Sequence, residues 1–342
     1  MLTAFAWGWT GTDARANELK LTVNPYAGVD WERMTQHKAN LHTHTFASGG
    51  RIFGRQVFEE YAKRGYTILS VTEHDIPTCW RDAAWDPLRS CGVLAIDGQE
   101  YSKGRHVNGF FLEYTTEEHD TERLARAISG QGGVSVLNHP GRYWKREEDG
   151  RFGSDTLDEV RRVFEASPSV LGMEVFNRNE RRLEDAPLWD ALLAESMPQR
   201  PIWGFANDDT HELKQVGHNW EVFLLNTLDR ASVREAMRTG SFYFCARKGG
   251  RANAGTEPPV ICSIRHDPVT ARITVSAAAD GAMLDGGGYR WVAEGQTVCT
   301  GPVLPYRRVS GIRHYVRAEL TGRGGVTYTN PFGFGPLSGE RE

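Results

Sequence analysis

Two short pairs of metal-binding residue types, each just after an apolar run, constrain this chain more than any other feature. His42-Thr43-His44 follows Ala39-Asn40-Leu41, and Asp209-Thr210-His211 follows the run 201–206. Residues two apart on an extended chain point to the same side, so each pair can aim two donors at one point. A fold that uses both pairs must bring distant strand ends together. Other candidate donors fall at comparable places: His74 after 66–71, then Glu100, His106, and His139 after 134–137.

The organisation around them is repetitive. Between residues 39 and 244, strand-like runs (66–71, 134–137, 170–176, 202–206) alternate with helix-like ones. The helical stretches are the spacing of Val57, Phe58, Tyr61 and Ala62 before Gly65, that of Leu124, Ala127 and Ile128 before Gly130, and the segments 155–166 and 187–196. Such alternation predicts an α/β fold with a parallel sheet or barrel. Polar residues at the C-terminal ends of several strands favour a barrel-type site. A doubly wound sheet would gather its site at one switch point, and neither GxGxxG nor GxxxxGK[ST] occurs. After about residue 248, Gly and Pro punctuate short alternating runs such as 272–276, 315–320 and 326–328, which predict a small antiparallel β domain. The expected division is a lead segment 1–37, a catalytic domain 38–250 and a β-sandwich-like domain 251–342.

Composition narrows the function classes. A formal net charge of -4 and no block of Lys or Arg give no nucleic-acid groove. Five scattered cysteines, none in a CxxC pair, argue against a disulfide scaffold and a thiolate zinc site. No run is long enough to span a membrane, and residues 1–11 lack the basic start and long apolar stretch of a signal peptide, so a cytoplasmic location is expected.

Imidazoles and carboxylates without thiolates suit Zn, Mn or Fe, and there are too many donors for one four-coordinate ion. A shared carboxylate would hold two ions close together, and Glu100 is the bridging candidate. Six segments, in this order, resemble the PHP (polymerase and histidinol phosphatase) family of metal-dependent phosphoesterases. They are Asn40 through Thr45, Gly65-Tyr66 through Val71-Thr72-Glu73-His74-Asp75, Gly98-Gln99-Glu100, Asn138-His139-Pro140, Gly172 through Asn177, and Asp208 through His211. The resemblance covers roughly residues 38–245. The β-rich tail, with Asn330-Pro331, more loosely resembles that of CehA/McbA-type metallohydrolases.

The resemblance implies a distorted (β/α)7 barrel with two to three divalent metal ions in a cleft. His42, His44, Glu100 and Asp209 would hold the first; Glu100, His139 and His106 the second; His74 and His211 a third. The family usually places Asp or His shortly after the first pair, whereas this chain reads Ser48-Gly49-Gly50. The third site therefore loses a ligand.

The expected reaction is hydrolysis of a small-molecule phosphate mono- or diester by metal-activated water. Arg142 would clamp a phosphate oxygen, with Lys145, Arg146, Arg51 and Arg55 as weaker candidates. His74 or His211, if free of metal, would protonate the leaving group. Glu73, Asp75, Asp208 and Glu174 are supporting groups in this reading, Glu174 as a ligand-orienting carboxylate or an internal salt bridge. His218 is a candidate substrate contact, and His37, His119, His266 and His314 are surface residues. Rival readings are hydrolysis of a carbamate, carboxylic ester or phosphotriester, an amidohydrolase-type barrel, and a non-catalytic binding module.

Overall fold

The strand–helix alternation takes the form of elements whose ends the local sequence explains. The computed structural model describes residues 19–80, 85–112, 114–144, 146–148, 151–178, 185–249 and 255–337. In helix Thr121–Gly130 the Asp120 carboxylate accepts the Arg123 amide at 2.9 Å, and the apolar stripe Leu124, Ala125 and Ile128 is buried. Helix Arg230–Thr239 starts on an Asp229 cap and ends at Gly240, whose φ of 74° is the left-handed stop that glycine adopts without strain. Helices Gly54–Ala62, Ser154–Ala166 and Asp185–Ser196 sit where the spacing placed them.

The fold is mixed α/β and rich in strand. Val134–Leu137, Val170–Asn177 and Trp203–Asn207 form parallel ladders, as do Thr35–Asn40, Tyr66–Leu69 and Leu94–Ala95. Other pairings are antiparallel: Gly98–Tyr101 with Val107–Phe110, Val107–Phe110 with Val134–Leu137, and Asn219–Leu225 with both Thr35–Asn40 and Phe242–Arg247. The expected all-parallel pattern therefore holds for only part of the sheet. The sequence reading missed this because 98–101 and 107–110 are joined by a short turn with no crossover helix, which permits only a hairpin.

Among the described residues the strands do not close into one hydrogen-bonded ring. A five-stranded sheet (98–101, 107–110, 134–137, 170–177, 203–207) stands beside an eleven-stranded one. Isolated parallel bridges join them at Thr43 with Thr210 and at His74 with Glu100. Both seams run through the residues that the sequence singled out.

The C-terminal strands continue the larger sheet. Gly325–Thr329 pairs with Phe242–Arg247, Tyr315–Gly322 pairs with Gly325–Thr329, and Phe332–Pro336 pairs with Leu19–Val23. A separate sheet of Val260–Asp267, Arg272–Ala279, Ala282–Met283 and Val303–Pro305 lies beyond them. One apolar core includes Val57, Phe58, Tyr61 and Trp220 together with Ile261, Trp291 and Phe332. Trp189 and Trp291 are fully buried core residues.

Candidate metal centre

His42 and His44 follow the strand Thr35–Asn40 in the extended register that the sequence predicted. Thr43, between them, turns the other way and donates to the Ser70 carbonyl at 2.9 Å, which leaves both imidazoles on one side. Their Nε2 atoms stand 3.1 Å apart. The second pair departs from the expectation. Asp209 has φ of 47°, so Asp209 and His211 are aimed by a left-handed kink and not by a regular strand.

Such kinks concentrate here. Asp75, His139, Arg178 and Asp209 all have positive φ. Left-handed backbone at non-glycine residues costs free energy and persists where surrounding contacts enforce it, often at functional sites.

Glu100, fully buried on the strand Gly98–Tyr101, is the hub. Its Oε2 lies 3.3 Å from His42 Nε2, 3.2 Å from His44 Nε2 and 2.8 Å from His74 Nδ1. Its Oε1 is 2.9 Å from His106 Nδ1 and 3.4 Å from His139 Nε2, and accepts from Asn138 Nδ2 at 2.9 Å. Asp209 Oδ1 is 3.5 Å from His42 Nε2 and 3.3 Å from His44 Nε2. Donor atoms within 4.8 Å of one another form four overlapping sets: His42, His44 and Asp209; His42, Glu100 and His139; His74, Glu100 and His106; His44, His74 and His211.

These atoms fit metal ions better than they fit each other. Glu100 Oε2 is buried beside three imidazole nitrogens, yet makes no well-aligned hydrogen bond to any of them. Neighbouring ligands of one ion at 2.0–2.1 Å stand roughly 3.0–3.4 Å apart, which is the range found around His42 and His44. All eight residues predicted as ligands are therefore brought together.

The charge balance points the same way. Burial pushes His42 towards its neutral form, but the carboxylates of Glu100, Glu174 and Asp209 outweigh it and hold its pKa well above the usual 6.5. Burial would raise Glu100 and Asp209, but the surrounding imidazoles, His42 first, keep both well below the ordinary carboxylate range. Burial lowers His139. Burial and the neighbouring His44 bring His211 down to about 4.

A supporting shell fixes the donors. Glu174 Oε1 lies 2.8 Å from His42 Nδ1, and its Oε2 accepts the His139 amide and Asn177 Nδ2, each at 2.9 Å. Of the two readings of Glu174, it is the orienting carboxylate. Glu73 is buried and accepts the Thr45 amide at 3.0 Å and the Thr45 and Ser48 hydroxyls, while Ser48 Oγ sits 3.3 Å from His44 Nδ1. Asp208 is structural. It accepts the amides of Gly217, His218 and Asn219 at 2.7–2.8 Å and the Tyr61 hydroxyl at 2.9 Å.

Arg142 Nη2 lies 3.4 Å from Asp209 Oδ2. Arg178, which sequence reading passed over, lies closer: its Nε is 2.8 Å from the same oxygen and its Nη2 3.1 Å from His211 Nδ1. The signal for it was present, since it directly follows the strand that carries Glu174. Of the other cations, Arg51 pairs with Glu212 at 3.4 Å, Arg55 lies over Trp85 and Arg146 over Phe152, while Lys145 lies outside the described residues. His218 Nε2 faces the Lys214 carbonyl and belongs to none of the four donor sets. His37 is half-buried between Thr35 and Thr67 and is not the surface residue expected.

Comparison of the chain with solved structures finds distant similarities. A two-domain protein from Bacteroides vulgatus, containing a predicted PHP-like metal-dependent phosphoesterase, is 16% identical over 94% of this chain and 100% of its own, with a TM-score of 0.49. An amidohydrolase from Chromobacterium violaceum is 16% identical over 51% of this chain and 87% of its own, with a TM-score of 0.39. A lesion-specific endonuclease from Pyrococcus furiosus is 13% identical over 60% of this chain and 56% of its own, with a TM-score of 0.38. No family model and no curated protein matches the sequence.

Proposed function

We propose that this chain is a metal-dependent phosphoesterase that hydrolyses a phosphate mono- or diester. The observation that carries this reading is the convergence of six imidazoles with the carboxylates of Glu100 and Asp209 in four overlapping sets, two of which contain Glu100. Divalent ions held there, Zn, Mn or Fe by donor type, would supply a water acidified towards neutral pH and charge stabilisation at phosphorus. His42, His44 and Asp209 would hold one ion, and His106 and His139 a second, with Glu100 between them.

The protein's own groups do the rest. Glu174 and Asn138 hold His42 and Glu100 in place, a role that commonly fixes ligand orientation and basicity. Arg142 and Arg178 converge on one carboxylate oxygen at the edge of the cluster, with side chains 20% and 36% exposed. Two partly exposed guanidinia beside metal-binding donors suit the equatorial oxygens of a transferring phosphoryl group. His211, with its pKa near 4, holds no proton to give at neutral pH. His74, 30% exposed at its side chain, would protonate the leaving alkoxide.

The test is hydrolysis of a p-nitrophenyl phosphate by His139→Ala and Asp209→Ala proteins. Turnover should be abolished while circular dichroism stays unchanged. Near-normal activity in either variant would refute the assignment.

A further inference from the structure

We infer that Arg178 keeps a third metal ion out by holding His211 in a tautomer that cannot ligate, so that the centre holds two ions. This inference rests on the metallohydrolase reading above. It starts from lone pairs. A neutral imidazole has only one, so each histidine can ligate one ion. His44 belongs both to the set with His42 and Asp209 and to the set with His74 and His211. Once His44 serves the first, the second keeps only His74 and His211. His74 Nδ1 in turn lies 2.8 Å from Glu100 Oε2, within the set it shares with Glu100 and His106.

His211 is then engaged by Arg178. The guanidinium only donates, so its 3.1 Å contact makes His211 Nδ1 the acceptor and puts the ring proton on Nε2. No lone pair is left for an ion. The same Nδ1 lies 3.0 Å from the Asp209 carbonyl, which could only accept. In the opposite tautomer Nδ1–H would donate to that carbonyl and Nε2 would be free to ligate. Arg178 thus selects between a blocked and a competent histidine.

Arg178 is held for this role by its backbone. With φ of 58°, it donates its amide to the Asn207 carbonyl at 3.1 Å, and its carbonyl accepts from Asn219 Nδ2 at 2.5 Å. Its Nε also reaches Asp209 Oδ2 at 2.8 Å. A fixed cation bridges the two residues that flank Thr210.

Gly49 completes the argument. The turn 48–51 wraps this set, with Ser48 Oγ 3.3 Å from His44 Nδ1 and the Arg51 amide donating to the His211 carbonyl at 2.7 Å. Gly49 has φ of 95°, and a Cβ built there meets nothing within 4 Å. Asp is among the residues that best tolerate left-handed backbone. A carboxylate installed there would meet no other atom, at the cost of backbone strain from the positive φ.

The experiment is metal content per chain, by plasma mass spectrometry after saturation with Zn or Mn and desalting. The wild-type protein should hold two ions, and Gly49→Asp alone should stay at two because Arg178 still occupies His211. The double variant Gly49→Asp with Arg178→Met should rise to three, with circular dichroism checking its fold. Three ions in the wild type, or a third in Gly49→Asp alone, would overturn the role of Arg178. So would a folded double variant that stays at two. One ion or none in the wild type would instead undo the metal-centre reading on which the inference stands.

Discussion

At the scale of single residues, the centre is a contest between protons and metal. His42 keeps a proton in the metal-free protein because three carboxylates outweigh its burial. An ion must displace that proton, so metal affinity should climb as pH rises through neutrality and beyond. Competition titrations at about pH 6, 7 and 8 would measure this, and a flat dependence would contradict the charge balance. The metal-free fold should respond in the opposite sense on the alkaline side. A raised His42 pKa contributes stability below about 6.5 that is lost as pH rises through the folded value. Depressed Glu100 and Asp209 contribute above about 4.5 and lose that contribution as pH falls. Apo protein should therefore melt highest in mildly acidic buffer, between those two limits. Glu174→Gln should weaken metal binding by about 10–100-fold while leaving every ligand present, because it loosens the orientation of His42 and of the His139 backbone.

At the scale of elements, what was legible follows from what strand periodicity carries. The pair His42 and His44 could be read because it is extended, as the alternation of Thr43 confirms. Helix ends at Asp120 and Gly240 follow from capping chemistry that is local in sequence. The left-handed backbones of His139, Arg178 and Asp209 were not legible, since tertiary contacts and not residue type impose them. For the same reason Arg178 was not singled out from the sequence. Its position depends on Asn207 and Asn219, which are held by different strands. The antiparallel hairpin 98–110 also hid, because its strands are four residues each and buried on both faces, which erases the alternation. Asn219→Ala should release the Arg178 backbone and lower kcat, as expected of a group that stabilises the transferring phosphoryl oxygens. Unchanged kcat and KM would argue that Arg178 does not contact substrate.

At the scale of the whole molecule, the β-rich C-terminal region is built into the fold of residues 38–250. Asn330 takes the Gly204 amide on its Oδ1 at 2.9 Å and gives its Nδ2 to the Gly240 and Phe242 carbonyls at 3.2 and 3.1 Å. Arg317 on strand Tyr315–Gly322 grips Asp190 on helix Asp185–Ser196 with two bonds of 2.7 and 2.8 Å and also reaches Glu319. Breaking a buried pair by removing one partner leaves an uncompensated charge and costs about 3–5 kcal/mol. Arg317→Met should therefore lower the melting temperature sharply with metal content unchanged, and a shift of only a degree or two would contradict this. Removing residues 251–342 would strip Phe242–Arg247 of its partner Gly325–Thr329 and expose the shared core. Such a fragment should be insoluble; a soluble, metal-binding one would show that residues 38–250 fold as an independent domain.

The central claim is that these donors hold metal for phosphoester hydrolysis. The most direct measurement compares p-nitrophenyl phosphate with bis-p-nitrophenyl phosphate, using protein reconstituted with Mn or Zn beside a chelator-treated control. The account predicts metal-dependent release of p-nitrophenolate from at least one of the two, lost on chelation and restored by adding the ion back. The ratio of the two rates would then separate a monoesterase from a diesterase. Protein that holds its ions and hydrolyses neither would contradict the account and move the chemistry to a carbamate or carboxylic ester.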